Sequence, residues 1–298
     1  MKLVSFFNLG NTCYINSVLQ CFIYNNYFQV HCKIPELEKV INNIDLNDNK
    51  EEFIEYDISD FLNFIFDKKK CFKKFQQNDA HEFLIEFLDI LTQDVYLNTY
   101  GCVNESWDHF LKQNNYNPFI SGYHGQTKLN IKCQRCHKSK DVYEEFNTIN
   151  LNIPNNSDNL DNLDITTLLL DYLKKETVND PNNLYYCEHC YSNQISDRKI
   201  LLNILPKILI LVLKRYSENG TKILSEIKYD QILYIKNGKS IIKYSLVSII
   251  HHFGNLYNGH YTSSVKINKN WYYIDDCSII KSENKDMSSA YILFYESE

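Results

Sequence analysis

The chain has 298 residues, with 31 Lys and Arg against 37 Asp and Glu, so its formal net charge is −6. That balance argues against a phosphate-binding surface covering the molecule, and we expect no nucleic acid partner. The high content of hydrophobic residues (44%) and aromatic residues (14%) excludes a disordered chain. The sequence contains no stretch of about 18 apolar residues, so no membrane span is predicted.

The role of the ten cysteines depends on whether the protein resides in a reducing or an oxidising compartment. The apolar run at the N-terminus is about five residues long, shorter than the roughly 7–15 residues of a secretion signal. We therefore expect no secretion signal and a reducing compartment, the cytoplasm or the nucleus. There, cysteines bind metals, catalyse reactions or fill the core rather than form disulfides.

The first 110 or so residues show helical patterns. Apolar residues recur at helical spacing over 13–24, and further helices are predicted over 34–44, 51–66 and 79–97. At the start of the last of these, Asp79 and Glu82 have the spacing of a capping box.

The second half of the chain is rich in strand patterns. A polar loop over 155–164 and a helix over 165–174 interrupt them. The stretch 200–214 holds two apolar runs split by Pro206, and the second is expected to be buried on both faces. The other predicted strands are 127–132, 145–153, 244–252, 261–267, 271–274 and 291–295. A helical half followed by a strand-rich half, without alternating βαβ units, predicts an α+β fold.

Two Cys-x-x-Cys pairs, Cys133/Cys136 and Cys187/Cys190, lie about 50 residues apart. Two cysteines at this spacing direct both thiolates at one tetrahedral ion, and two such pairs complete a four-thiolate zinc site. The alternative is four unconnected surface cysteines. A closed site of this kind stabilises structure without taking part in chemistry, so it predicts Zn²⁺ but no reaction.

Cys13 stands where the first predicted helix begins. A helix N-terminus favours the thiolate, and its free N–H groups can hold an oxyanion. Taken alone, however, a cysteine at a helix start is more often structural. Far along the chain, His260 opens one predicted strand, and Asp275 and Asp276 end the next. A general base and its carboxylate on neighbouring strands are what a Cys–His–Asp hydrolase requires, so we predict acyl transfer through a thioester.

These residues resemble the ubiquitin-specific proteases, papain-like deubiquitinases, over nearly the whole chain and in order. NLGNTCYINSVLQ resembles the family's Cys box, QNDAHEFL its second block, and ILILVLKRY its central palm strand. HFGNLYNGHY with WYYIDD resembles the His box, and YILFY the closing strand, while the cysteine pairs match the zinc-bearing fingers.

The resemblance implies one catalytic domain over 1–298 with a papain-like cysteine protease fold. A thumb over about 1–115, fingers over about 125–200 and a palm over about 200–298 would together hold ubiquitin as the partner, along with ubiquitinated proteins. The implied reaction is hydrolysis of the peptide or isopeptide bond after the C-terminal glycine of ubiquitin. Two alternatives remain, a ubiquitin-binding pseudo-enzyme and a protease for another ubiquitin-like modifier.

The resemblance also implies residue roles. Asn8 would donate a side-chain N–H to the oxyanion beside the backbone N–H of Cys13. Asp79 and Glu82 would face the basic tail of ubiquitin, although the pair also fits a helix cap. His252 is expected on a loop over that tail or, equally, as a structural loop histidine.

The acidic pair needs a separate assignment. If the strand continues through Asp275 and Asp276, their side chains point to opposite faces, and only one can meet the imidazole of His260. Both faces are apolar, so periodicity does not choose; the resemblance favours Asp275, with Asp276 as a polar support. The neighbouring Cys277 is expected to be a core thiol.

Overall fold

Helix α1 (Cys13–Ile23) begins at the candidate nucleophile, and every residue in it is buried. It is seen in a computed structural model that describes residues 1–47, 50–92, 107, 111–112, 116–154, 163–217, 219–238, 240–255, 258–282 and 287–298. The other helices described are α2 (Asn26–His31), α3 (Pro35–Ile41), α4 (Ser59–Lys68), α5 (Ala80–Leu91), α6 (Pro118–Tyr123) and α7 (Ile165–Tyr172). Within the described ranges, no helix combines the length and the apolar character needed to cross a bilayer.

The strands of the described residues are β1 (Lys2–Phe6), β2 (Glu52–Tyr56), β3 (Gly125–Cys133), β4 (Ser139–Phe146), β5 (Ile149–Asn152), β6 (Glu176–Val178), β7 (Tyr185–Cys187), β8 (Ser192–Gln194), β9 (Ser196–Ile204), β10 (Ile208–Lys214), β11 (Ile232–Asn237), β12 (Ser240–Gly254), β13 (Gly259–Ile267), β14 (Asn270–Asp275), β15 (Ser278–Lys281) and β16 (Ala290–Ser297). Helices dominate the first part of the chain and antiparallel strands the second, so the α+β prediction is confirmed.

One predicted helix is wrong in its first half. Residues 52–56 form β2, which pairs in parallel with β1, and helix α4 begins only at Ser59. The segment Glu-Phe-Ile-Glu-Tyr has no strict alternation of polar and apolar residues, and its backbone hydrogen bonds are made with a strand about 50 residues earlier. A partner so distant in sequence leaves no local signal. The predicted helix over 79–97 is seen as α5 (Ala80–Leu91), and its predicted end lies outside the described residues.

The predicted strand 145–153 divides between two sheets. β4 ends at Phe146 and belongs to a four-stranded sheet of order β4-β3-β9-β6, while β5 begins at Ile149 and pairs in parallel with β10. The turn between them sends the chain from the first sheet into the second. In the four-stranded sheet, called the small sheet below, β3 ends at Cys133, and the first cysteine pair lies there. The second pair lies in the separate hairpin of β7 and β8.

The large sheet has the order β15-β14-β13-β12-β16-β10-β5, with β11 paired to β12. One face packs against α1 and the other N-terminal helices, and the other face packs against α7. β10 is therefore covered on both sides, and only Lys214 at its end is exposed, as predicted. Because α1 lies across this sheet, its N-terminus reaches the ends of β13 and β14, where the candidate catalytic residues lie.

Candidate active site

Cys13 is the first residue of α1 and is 3% exposed. The loop before it is tied by its own side chains. Asn8 Oδ1 accepts hydrogen bonds from the backbone N–H groups of Gly10 and Thr12, both at 3.1 Å. Thr12 Oγ1 accepts from the N–H of Leu9 at 3.0 Å. The short polar side chains thus hold the chain in a compact turn immediately before the nucleophile.

His260 and Asp275 lie on the adjacent strands β13 and β14. His260 Nε2 is 2.6 Å from Asp275 Oδ1, the distance of a charge-assisted hydrogen bond. The pKa of His260 is raised to about 9; the largest cause is its hydrogen bond with Cys13, and Asp275 adds a hydrogen bond and a negative charge against the opposing effect of burial. The imidazole is therefore hydrogen-bonded to the carboxylate and interacts with the thiol, the two partners that the base of a cysteine hydrolase requires.

Asp276 lies close to this pair but binds other groups. Strand β14 ends at Asp275, and Asp276 has a φ of 47°, so the extended backbone stops between the two carboxylates. Asp276 Oδ2 accepts a hydrogen bond from Asn8 Nδ2 and its Oδ1 accepts one from Asn16 Nδ2, both at 2.8 Å. Asp276 thus fixes the two amides beside Cys13 and makes no hydrogen bond to the imidazole.

The contacts of Asn8 define what its amide can do. Its oxygen is used by the loop, and one N–H of Nδ2 is directed at Asp276. An amide nitrogen carries two hydrogens, so its second N–H is left for an oxyanion. Asn16, in contrast, was not among the predicted site residues. Its spacing of three residues from Cys13 places it on the same side of α1, and this spacing could have indicated it.

A cavity of about 280 Å³ opens at Cys13 between the N-terminal helices and the large sheet. Its lining comprises Cys13, Tyr14, Gln77, Asn78, Asp79 and Glu82 from the first part of the chain and Tyr216, His252, Asn255, Gly259 and Tyr261 from the second. A larger cavity of about 580 Å³ between α7 and the small sheet contains none of the candidate catalytic residues. We therefore assign the chemistry to the smaller one.

Asp79 and Glu82 both line this cavity. Asp79 also caps α5, but its Oδ1 accepts from the N–H of His81 at 2.6 Å rather than from that of Glu82, so the predicted capping box is incorrect in detail. The hydroxyl of Tyr291 donates to the Asp79 carboxylate at 2.9 Å. The carboxylate is held in place by these contacts, while Glu82 is exposed at the rim.

His252 departs from the prediction, because it lies within strand β12 and not on a loop. It is 5% exposed, its ring stacks on Tyr261 with centroids 4.6 Å apart, and its Nδ1 is 3.3 Å from the hydroxyl of Tyr216. Burial, assisted by the nearby cations Lys222 and Arg215, lowers the pKa of His252 to about 4. A neutral ring therefore forms part of the cavity wall at neutral pH.

Gln77 joins the two sides of the cleft, a contact that the sequence did not indicate. Its Nε2 donates to the carbonyl of Gly259 at 3.3 Å, and its Oε1 accepts from the N–H of the same residue at 3.4 Å. Gly259 immediately precedes His260. A Cβ at Gly259 would lie 2.1 Å from His252 Nε2, so only glycine fits this position. Cys277, expected in the core, is exposed in the turn after Asp276.

The two cysteine pairs meet at the end of the small sheet. Sγ of Cys133 is 4.0 Å from that of Cys190, and Sγ of Cys136 is 3.6 Å from that of Cys187. All four sulfur atoms lie within 4.8 Å of one another. Four thiolates about 2.3 Å from a tetrahedral zinc ion would be about 3.8 Å apart, so the group has the dimensions of a metal site. The backbone N–H of Cys136, and then that of Arg135, lower the pKa of Cys133 to about 7.

Comparison with known proteins assigns the chain to one family. The family model described as ubiquitin carboxyl-terminal hydrolase matches residues 4–295. Ubiquitin carboxyl-terminal hydrolase 17-like protein D of Mus musculus is 26% identical over 313 residues, which cover 97% of this chain and 53% of that protein. The 17-like protein 15 of Homo sapiens is 28% identical over 309 residues, covering 97% and 52%. The chain thus spans about half the length of these curated relatives.

Among solved structures, the SAGA Ubp8/Sgf11/Sus1/Sgf73 DUB module bound to ubiquitin aldehyde matches with a TM-score of 0.75 and 25% identity, covering 99% of this chain and 70% of that one. The same module with a substituted Ubp8, bound to monoubiquitin, matches with a TM-score of 0.75 and 24% identity, and the match covers 99% of this chain and 69% of that one. At this identity the match supports the fold alone. The helical and sheet parts described above therefore have the arrangement seen in Ubp8.

Proposed function

The chain belongs to the ubiquitin carboxyl-terminal hydrolase family, and on that premise we propose that it hydrolyses the bond after the C-terminal glycine of ubiquitin through Cys13. The proposal rests above all on the grouping of three residues: Cys13 lines the cavity, His260 interacts with Cys13, and His260 Nε2 is 2.6 Å from Asp275 Oδ1. A pseudo-enzyme would have no need of that grouping. A carboxylate pair in the cavity, Asp79 and Glu82, suits a substrate tail that carries basic residues.

The geometry supports the following course. His260 takes the proton of Cys13, and the thiolate attacks the carbonyl carbon of the scissile bond. The negative oxygen that forms is stabilised by the backbone N–H of Cys13 and by the second N–H of Asn8 Nδ2. The imidazolium then protonates the departing amine, which leaves a thioester on Cys13. Water, deprotonated by His260, attacks the thioester and releases ubiquitin with a free carboxylate.

The test is to treat the protein with ubiquitin that carries a C-terminal electrophile. We expect one covalent adduct per chain, on Cys13, as identified by mass spectrometry. Cys277→Ser is the matched control, because Cys277 is an exposed thiol beside the site, and this variant should label as well as the wild type. Labelling of Cys277 instead of Cys13, or no adduct, would contradict the proposal. Labelling only by a different modifier would assign the enzyme to that modifier.

We also propose that Cys133, Cys136, Cys187 and Cys190 hold one structural Zn²⁺. The ion would cross-link the hairpin of β7 and β8 to the end of β3, where hydrophobic packing is sparse.

Since these four cysteines and Cys13 act only as thiolates, we propose a reducing compartment, the cytoplasm or the nucleus, as the place of action.

Metal analysis of freshly prepared protein should find one zinc per chain. Cys190→Ser should lower the zinc content and the melting temperature, the latter by about 10 °C, because a metal bound only to the folded state contributes its binding energy to stability. Cys71→Ser removes an exposed cysteine of the N-terminal part and should change neither quantity. Full stability in zinc-free protein would show that the cluster does not bind a structural metal.

A further inference from the structure

A cationic segment lies beside the catalytic helix. Residues 68–74 read Lys-Lys-Lys-Cys-Phe-Lys-Lys, which is five lysines in seven positions of a chain whose net charge is −6. Four of the five, which we call the lysine cluster, have exposed side chains: Lys68, Lys70, Lys73 and Lys74. The cluster is thus a local excess of positive charge on an otherwise acidic protein.

The remaining residues of the segment fix its position. Lys69 turns inward and pairs with Glu86 at 2.6 Å and with Asp89, both on α5. Phe72 is 2% exposed and packs against Tyr14 and Phe83, with ring centroids 6.0 and 5.6 Å apart. Tyr14 follows Cys13 in α1, so the segment is anchored to the catalytic helix.

The lysine cluster is not needed for this anchoring. Lys70 is 3.3 Å from Asp67, but both side chains are largely exposed, and such pairs contribute little to stability. The cluster lies at and after the C-terminus of α4, where a positive charge is favourable, yet a helix end is served by one or two cations. Four exposed lysines exceed what the fold requires.

The far end of the segment rests on the loop that precedes Cys13. Phe75 has a φ of 63° and is 72% exposed, and its carbonyl accepts a hydrogen bond from Asn11 Nδ2 at 2.7 Å. Its ring covers Gly10, where a Cβ would lie 2.4 Å from Phe75 Cδ1. An exposed aromatic ring held in a strained backbone conformation therefore rests on the loop that leads into the nucleophile.

The segment has the opposite charge to the cavity. The cavity wall presents the carboxylates Asp79 and Glu82, whereas neither Phe75 nor any member of the lysine cluster lines it. If the cavity receives the ubiquitin tail, the surface beside Cys13 outside the cavity faces what ubiquitin is attached to. The two sides of the scissile bond would then meet surfaces of opposite charge.

We propose that the lysine cluster, with Phe75, binds an acidic stretch of the polypeptide from which ubiquitin is removed. The inference rests on the proposed function, because only then does a leaving polypeptide exist. A polypeptide suits the segment better than a nucleic acid, because residues 68–75 contain no arginine, the residue best suited to bidentate phosphate contacts. A peptide with carboxylates and an apolar side chain matches both the lysines and the exposed ring.

The experiment compares three substrates: ubiquitin with a small fluorogenic leaving group, and ubiquitin joined by an isopeptide bond to a lysine peptide that is either rich in Asp and Glu or rich in Ser and Gln. We expect the wild type to cleave the acidic conjugate about tenfold faster, by kcat/KM, than the neutral one, as a few exposed ion pairs allow. The preference should disappear in the variant Lys68→Gln, Lys70→Gln, Lys73→Gln, Lys74→Gln. The preference should persist in a control variant that combines four changes of exposed lysines elsewhere: Lys33→Gln, Lys39→Gln, Lys236→Gln and Lys281→Gln.

The outcomes separate the two proposals. If the wild type fails to cleave the small fluorogenic substrate, the proposed function fails, and the inference with it. If that substrate is cleaved but the two peptide conjugates are cleaved equally, the inference alone is wrong. Raising salt from about 0.05 to about 0.5 M should remove the wild-type preference, which provides a test that needs no folded variant. Equal cleavage together with cluster-dependent binding of a single-stranded oligonucleotide would assign the segment to nucleic acid instead.

Discussion

Cys13→Ser is expected to lower hydrolysis of ubiquitin conjugates by at least about 10³-fold while changing the affinity for ubiquitin less than about threefold. A serine hydroxyl is a far weaker nucleophile for a base that is matched to a thiol. Binding, in contrast, is expected to be spread over the cavity wall and the surfaces around it, and the Cys13 side chain is a small part of that wall. Single-turnover hydrolysis and calorimetric titration with ubiquitin measure the two quantities separately.

The control for this variant is Cys277→Ser, which should keep wild-type turnover because the Cys277 side chain is exposed in the turn beyond Asp276. If Cys13→Ser retained turnover near the wild-type rate, another group would have to be the nucleophile. A loss of ubiquitin affinity in parallel with the loss of turnover would show instead that the substitution disturbs the cleft.

Replacing the two neighbouring aspartates should give two different kinetic defects. Asp275→Ala removes the hydrogen bond that orients His260, and losses of about 10²- to 10⁴-fold are typical of such changes. Asp276→Ala releases the amides of Asn8 and Asn16, and loss of one oxyanion donor costs about 10²- to 10³-fold in kcat. The first acts on the base and the second on the groups that stabilise the developing charge.

The pH profile distinguishes them. His260 must be protonated to supply the departing amine with a proton, so activity should fall as the pH rises through about 9, the raised pKa of this group. Asp275 favours the charged imidazolium, so its removal lowers that pKa, and the alkaline limb of kcat/KM should move to lower pH. In Asp276→Ala the limb should stay in place while the plateau falls. A shift of the limb in Asp276→Ala alone would reverse the assignment.

Several features of this protein were determined by the sequence alone, because they depend on short spacings. A Cys-x-x-Cys pair directs two thiolates at one point whatever surrounds it, and the four sulfur atoms do converge. The start of α1 at Cys13 follows from helical periodicity, and the all-apolar run of β10 indicates burial on both faces. Each of these signals lies within a few residues of the feature that it predicts.

The tertiary structure decided the rest, because each remaining question depended on a partner far away in the chain. β2 is a strand because β1 pairs with it, and His252 is a buried wall residue because β12 extends through it. The two aspartates were equivalent by periodicity, since both faces of their strand are apolar. Their roles differ because the strand ends between them and the backbone turns at Asp276. This turn directs the Asp276 carboxylate to the amides of Asn8 and Asn16, about 260 residues earlier in the chain.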